Sequence, residues 1–203
     1  MSVPKLPLEL ERMIFLLVPR RTAHSCLLVA KRVQGWLERN LYRVVCLTNE
    51  SRAQKFLLSM EHRPEFATSV IEALCLNASI KLEMGASILK LSAGLKFLNM
   101  CFPCHRFGAK NPVLDPLSKL SCLEALYVDL SSIFNHRDIY LPNVSVFHQV
   151  THLHLSNAWA TWSTVARSIG LHELKQITHL SLYLLTVHTL PRPPCSFDAR
   201  NQL

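Results

Sequence analysis

Two groups of residues have the types and spacing that metal or cofactor chemistry uses. The run "CFPCH", Cys101 to His105, matches C-x-x-C-H, where two thiols bind a haem covalently and the histidine ligates its iron. Such attachment normally takes place in a secreted or organellar compartment, and the N-terminal residues do not read as a leader. Incidental loop cysteines are the preferred reading. A closed zinc site wants four ligands, and no second C-x-x-C pair accompanies this one. His152, His154 and His179 form the second group. If the first two share a strand and the third lies on the next, three imidazoles come together, as an open metal site requires. Surface histidines recurring along a repeat are the plainer alternative. No metal and no cofactor are expected.

Enzyme chemistry finds no support. There is no G-x-S-x-G elbow, phosphate-binding glycine loop or H-E-x-x-H pair. Glu72, Glu124 and Asp129 sit on separate segments, with nothing to pair them for acid–base work. No catalytic residue is expected, and no enzyme.

A repeat must position these side chains. "IEALCL" from Ile71, "LKFLNM" from Leu95, "LEALYV" from Leu123, "VTHLHL" from Val150 and "ITHLSL" from Ile177 all read apolar-x-x-Leu-x-apolar. Their starts lie 24, 28, 27 and 27 residues apart, inside the range of leucine-rich repeats. "LYRVVC" from Leu41 is a cruder sixth copy. Helical stripes fall between them: Ala53, Phe56, Leu57 and Met60; Met84, Ile88 and Leu91; Trp162, Val165, Ala166 and Ile169. The predicted architecture is therefore α/β, an irregular solenoid over residues 46–190 with a curved parallel sheet. The asparagine usual after each strand is mostly missing, and Asn77 and Asn157 fall one position early.

Side chains alternate between the two faces of a strand, so the residues between the apolar positions line the concave face. These are Ala73, Cys75 and Asn77; Phe97, Asn99 and Cys101; Ala125, Tyr127 and Asp129; His152, His154 and Ser156; His179, Ser181 and Tyr183. Phe97, Asn99, Tyr127, Asp129, His152, His154, His179 and Tyr183 offer aromatic, imidazole and amide groups for holding a protein substrate. The same positions equally suit ordinary solvated residues.

The first third reads as three helices. Pro7 fits a first helical turn. Leu10, Met13, Ile14, Leu17 and Val18 follow the spacing of one buried face, while Leu8 and Phe15, widened by Leu16, fall nearly opposite. A helix apolar on two faces buries both, so the first stripe is expected to face its own domain and the second a partner. Thr22 is placed as the cap of a second helix running to Ala30. Val33, Trp36, Leu37 and Leu41 mark a third, weakened by Gly35. So small a core would lean on the domain behind it or on a bound partner.

Composition bounds the rest. With 203 residues, 49% hydrophobic and 18% charged, the chain is globular rather than disordered, and five glycines argue against sandwiches and barrels. The longest apolar run, Met13 to Val18, is far short of the about 20 residues of a membrane span. Glu9 and Glu11 before it and Pro19-Arg20-Arg21 after it also spoil a signal peptide. No membrane association is expected. Seven scattered cysteines fit free thiols in cytosol or nucleus. Residues 1–63 carry eleven Lys/Arg against five Asp/Glu, a net of +6, and the remainder a net of +2. A basic end suggests an acidic protein or nucleic acid, or simply a solvated basic face. No nucleic-acid motif accompanies it, so nucleic acid is disfavoured.

Leu6-Pro7-Leu8-Glu9-Leu10, then Ile14-Phe15, then Val29 and Trp36, resembles the F-box motif, with its "LPxELxxxIF" opening and its length over residues 6–45. "LYRVVCLTN" and "RPEFATSVIEALCLN" are similar to large fungal families of F-box-like proteins with degenerate leucine-rich repeats. Arg20, Arg21 and His24 depart from the family pattern, where apolar or neutral residues are more usual. The resemblance implies an F-box-like unit in residues 1–45. It would dock the acidic Skp-type adaptor of a cullin-RING ubiquitin ligase through Leu6, Pro7, Leu8, Ile14, Phe15 and Trp36. Ile14 and Trp36 are the two most expected to act by packing. The repeats would then hold a substrate for ubiquitin-dependent degradation. The alternative is a repeat scaffold without a ligase role, or a truncated relative. Residues 191–203, "RPPCSFDARNQL" after Pro191, do not read as a capping repeat.

Overall fold

The computed structural model describes residues 6–102, 111–134, 139–158 and 169–185. The haem-like motif beyond Phe102, the helical stripe at Trp162, Val165 and Ala166, and the tail at 191–203 lie outside them. The architecture is α/β with a six-stranded, all-parallel sheet.

Three helices come first: α1 (Leu8–Leu16), α2 (Arg20–Cys26) and α3 (Lys31–Arg43). Pro7 and Pro19 stand at the first two N-caps, where the missing N–H is one that no helix would satisfy. Helix α2 therefore starts earlier than the expected cap at Thr22. The Thr22 N–H is already engaged with the Pro19 carbonyl. The spacing Val33, Leu37, Leu41 buries one face of α3 against Ala23, with Phe15, Val18, Cys26, Leu27, Trp36 and Tyr42 packed around them. Gly35 lies on the open side, where an added Cβ would meet nothing.

The Leu41 copy supplies β1 (Val44–Leu47), directly after α3. Then come α4 (Glu50–Glu61), α5 (Pro64–Val70), β2 (Ala73–Leu76), α6 (Leu82–Leu91), β3 (Phe97–Met100), α7 (Leu114–Ser118), β4 (Ala125–Val128) and α8 (Leu130–Ile133). Two 3-10 turns (Leu141–Asn143 and Ser145–His148) lead to β5 (His152–Ala158), and another (Leu171–Glu173) precedes β6 (His179–Leu185). Each of the five matched segments begins its strand at its third residue. The strands pair in sequence order, so that Leu74, Leu98, Leu126, Leu153 and Leu180 form one row across the sheet.

Hydrogen bonding explains the constant register. The carbonyl of Glu72 accepts both the Lys96 and Phe97 N–H groups, that of Lys96 those of Glu124 and Ala125, and that of Glu124 those of Thr151 and His152. The Thr151 carbonyl repeats the pattern with Thr178 and His179. Every copy thus locks to the next at its second residue. Between strands, Ala53, Phe56 and Met60 of α4 and Ile88 and Leu89 of α6 cover the buried rows to form the main core. Asn77 accepts from the Ser79 N–H, which turns the chain after β2.

The small helical unit leans on this layer. Tyr42 packs on both cores and meets Phe66 edge-on at 5.8 Å. Arg63, just before α5, pairs with Glu38 of α3 and lies over the Phe66 ring at 4.0 Å. Among the described residues no helix is long and apolar enough to cross a membrane.

Candidate functional site

Two surfaces stand out, one on α1 and one on the face of the sheet that none of the described helices covers, the helix-free face. Helix α1 and the residues after it depart from expectation in part. Of the stripe predicted to be core, Leu10, Met13, Ile14 and Leu17 are exposed, Leu17 by 81%, and only Val18 packs; Leu8 and Leu16 are exposed as the partner-facing side was expected to be. Phe15, predicted to face a partner, packs with Val18 onto the small core. Glu11 lies on the same flank as Phe15 and Val18 and forms a two-pronged ion pair with Arg32 of α3, at 3.1 and 2.8 Å. That pair accompanies the packing of Phe15 and Val18, and the stronger apolar stripe lies outside.

Leu6 and Leu8 are exposed, and so are Leu28, by 93%, and Val29 at the α2–α3 junction. Nine of the twelve exposed large hydrophobic residues described lie within residues 6–29, which makes this a concentration and not ordinary scatter. The residues expected to dock a partner therefore divide. Leu6, Pro7, Leu8 and Ile14 are open to solvent, whereas Phe15 and Trp36 are half-buried supports. Ile14, expected to pack, is on the outside. Leu10, Met13, Leu17 and Leu28 belong to the surface and were not expected there.

Beside the stripe, Arg12, Leu16, Trp36, Arg39, Asn40 and Arg43 line a groove of about 360 Å³, with Gly35 at its edge. In the sequence these arginines are spread over two helices. The fold brings three guanidinium-bearing side chains to one aromatic wall, chemistry suited to carboxylates.

On the sheet, the described residues expected between the apolar positions that lie within the strands do occupy the face away from the described helices. Register sets Val44, Ala73, Phe97, Ala125, His152 and His179 in one row, and Cys46, Cys75, Asn99, Tyr127, His154 and Ser181 in another. Most are half-exposed, while Ala73 and Ser156 are buried. Asp129 follows β4 and its carbonyl accepts from Ser132 Oγ. Tyr183 continues β6 opposite Ser156, and its side chain lies outside the described residues.

The three histidines do not converge. His152 and His179 stack at 4.2 Å with planes 4° apart, and His154 instead stacks on Tyr127 at 5.6 Å. Thr151 Oγ1 lies 3.2 Å from the Glu124 carbonyl and 2.8 Å from His152 Nδ1, and Thr178 Oγ1 lies 3.1 Å from the Thr151 carbonyl and 2.9 Å from His179 Nδ1. Burial, reinforced by neighbouring His152, lowers the pKa of His154. Among the described residues no group of three or more His, Cys, Asp or Glu side chains is placed to hold a metal.

Comparison with models of known protein families gives no match, and comparison with curated protein sequences gives none either.

Proposed function

We propose that the chain is a non-catalytic adaptor of F-box type. Its three N-terminal helices dock the Skp-type adaptor of a cullin-RING ubiquitin ligase, and its leucine-rich-repeat-like sheet presents a protein substrate. The observation that carries this reading is the exposed stripe Leu10, Met13, Ile14 and Leu17, extended by Leu6, Leu8 and Leu28. A small core flanked by so many exposed large apolar side chains has the form of half an interface. The arginine groove beside it, and the +6 net charge of residues 1–63, complement an acidic partner. The likeness of the "LPLELERMIF" opening to the F-box motif supplies the kind of partner.

Substrate recognition is assigned to the helix-free face, where Phe97, Asn99, Tyr127, His152, His154 and His179 form adjoining rows of rings and amides. Tethering a bound substrate beside the ligase raises its local concentration, and that needs no catalytic residue in this chain. The proposed place of action is cytosol or nucleus.

Met13→Glu with Leu17→Glu places two charges on the exposed stripe without touching the packed side of α1. The parent chain should co-purify with a Skp-type adaptor and the double variant should not. Equal recovery of both, or of neither, would overturn the assignment.

A further inference from the structure

Strands β1 and β2 bring together two thiols separated by 29 positions in sequence. Cys46 and Cys75 are direct register partners on the helix-free face, both half-exposed and neither in a disulfide. Neighbouring strands run about 4.8 Å apart, inside the roughly 4.4–6.8 Å Cα separation that disulfides span. Val44, Ala73 and Phe97 form a shallow apolar depression with them. Arg20, from α2, donates to the Leu41 and Val44 carbonyls, at 3.0 Å each, and so holds a fixed positive charge near the start of β1.

We propose that Cys46 and Cys75 form a peroxide-sensitive dithiol that closes to an intramolecular disulfide. Cys46 is the attacking thiol. A hydrogen bond from the Cys75 thiol lowers its pKa to about 6, against the upward pull of burial and with help from Arg20. The Cys46 thiolate attacks one oxygen of hydrogen peroxide, forming an S–O bond, and hydroxide leaves. The Cys75 sulfur then attacks the sulfenic sulfur, and the S–S bond forms as its thiol proton and the departing hydroxyl leave as water. Two electrons pass from the two sulfurs to the peroxide.

The position makes the bond reversible and consequential. At the Cβ atoms the strand spacing of about 4.8 Å is wider than the roughly 3.5–4.5 Å that a disulfide prefers, so closure must draw β1 inward. Among the described strands β1 is an edge, paired on one side only, which lets it move. A bond closed under strain is reduced more easily. Because β1 follows α3 directly, closure pulls on the joint between the helical unit and the sheet.

The test uses the folded full chain, treated with equimolar hydrogen peroxide, quenched with iodoacetamide and digested with trypsin. Residues 44–52 and 56–81 are tryptic peptides with one cysteine each, since the Arg63–Pro64 bond resists cleavage. The expected product is these two peptides cross-linked, two hydrogens lighter than their sum. Cys122, exposed, serves as the internal control. Cys46 alkylation should be half-maximal near pH 6, and at pH 6 about tenfold faster than an unstructured cysteine peptide, the gain in thiolate being partly offset by lower nucleophilicity. Cys75→Ser keeps a hydrogen-bond donor, so Cys46 should stay reactive and stop at a sulfenic acid that dimedone traps. Cys75→Ala removes the donor and should move the half-point upward. Absence of the cross-linked pair, or a Cys46 profile unmoved by Cys75→Ala, would overturn the proposal.

Discussion

The double truncation Ile14→Ala with Leu17→Ala separates docking from folding. Ile14 is 54% and Leu17 81% exposed, so neither holds the small core together. Fully burying an aliphatic side chain of this size is worth roughly 1.5–3 kcal/mol, so a partner covering both exposed portions gains about 2–4 kcal/mol from them. Alanine keeps the Cβ, and roughly two-thirds of that gain is lost, about 2 kcal/mol or thirtyfold in Kd. Folding stability should change by no more than about 0.5 kcal/mol, as for other surface substitutions. The assay is calorimetric titration of parent and variant with purified Skp-type adaptor, paired with thermal melts of each. A Kd within threefold of the parent, with melts unchanged, would refute docking through this stripe. Phe15→Ala is the informative contrast. Its ring packs on the small core, so binding and melting should fall together.

Leu37 is fully buried at the centre of the helical unit, and Leu37→Ala should cost about 2–5 kcal/mol in urea denaturation, enough to unfold that unit first. A Cβ at Gly94 would strike the Thr68 carbonyl oxygen, which is backbone and cannot swing aside. Gly94→Ala should therefore lower the urea midpoint by an amount equivalent to about 1–3 kcal/mol, and an unchanged midpoint would show that α5 can shift. His154 makes stability depend on pH. Its folded pKa lies below the unfolded value of about 6.5, so the unfolded chain binds the extra proton. Its contribution is intact above that value and falls as pH drops beneath it, until the folded His154 also protonates. His154→Gln should remove that part of the slope between pH 7.5 and 5.5, and a parent-minus-variant difference independent of pH would refute it.

The repeat was the most legible part of the chain. Apolar-x-x-Leu-x-apolar at near-constant spacing marks strands locally, and segments of like pattern stack because each cannot bury its apolar side alone. That is why β2 to β6 each begin at the third residue of a matched segment, and why the described strand residues between the apolar positions share the helix-free face. The helical stripe of α4 at Ala53, Phe56, Leu57 and Met60 was equally plain, since apart from Leu58 the residues off that stripe are polar. Helix α1 was not plain. Both of its faces are apolar, and periodicity reports that a stripe exists without saying which side is covered. The one local signal was Glu11 beside Phe15 and Val18, and its meaning depended on Arg32, 21 positions away.

Sequence by itself thus determined the strands, the helical stripes of α3, α4 and α6, their order and the alternation of faces, because these follow from side-chain spacing along a single segment. The short α5, α7, α8 and the 3-10 turns carry too few residues to show a period. Tertiary structure alone decided which face of α1 meets solvent, which arginines share a groove with Trp36, and that Cys46 stands opposite Cys75. The histidines show the division clearly. Their spacing put His152 and His179 side by side, but ring stacking and the Thr151 and Thr178 hydroxyls turned them parallel instead of toward a common centre. Contacts between distant segments depend on rotation and register, and those are settled only when all the packed surfaces compete at once.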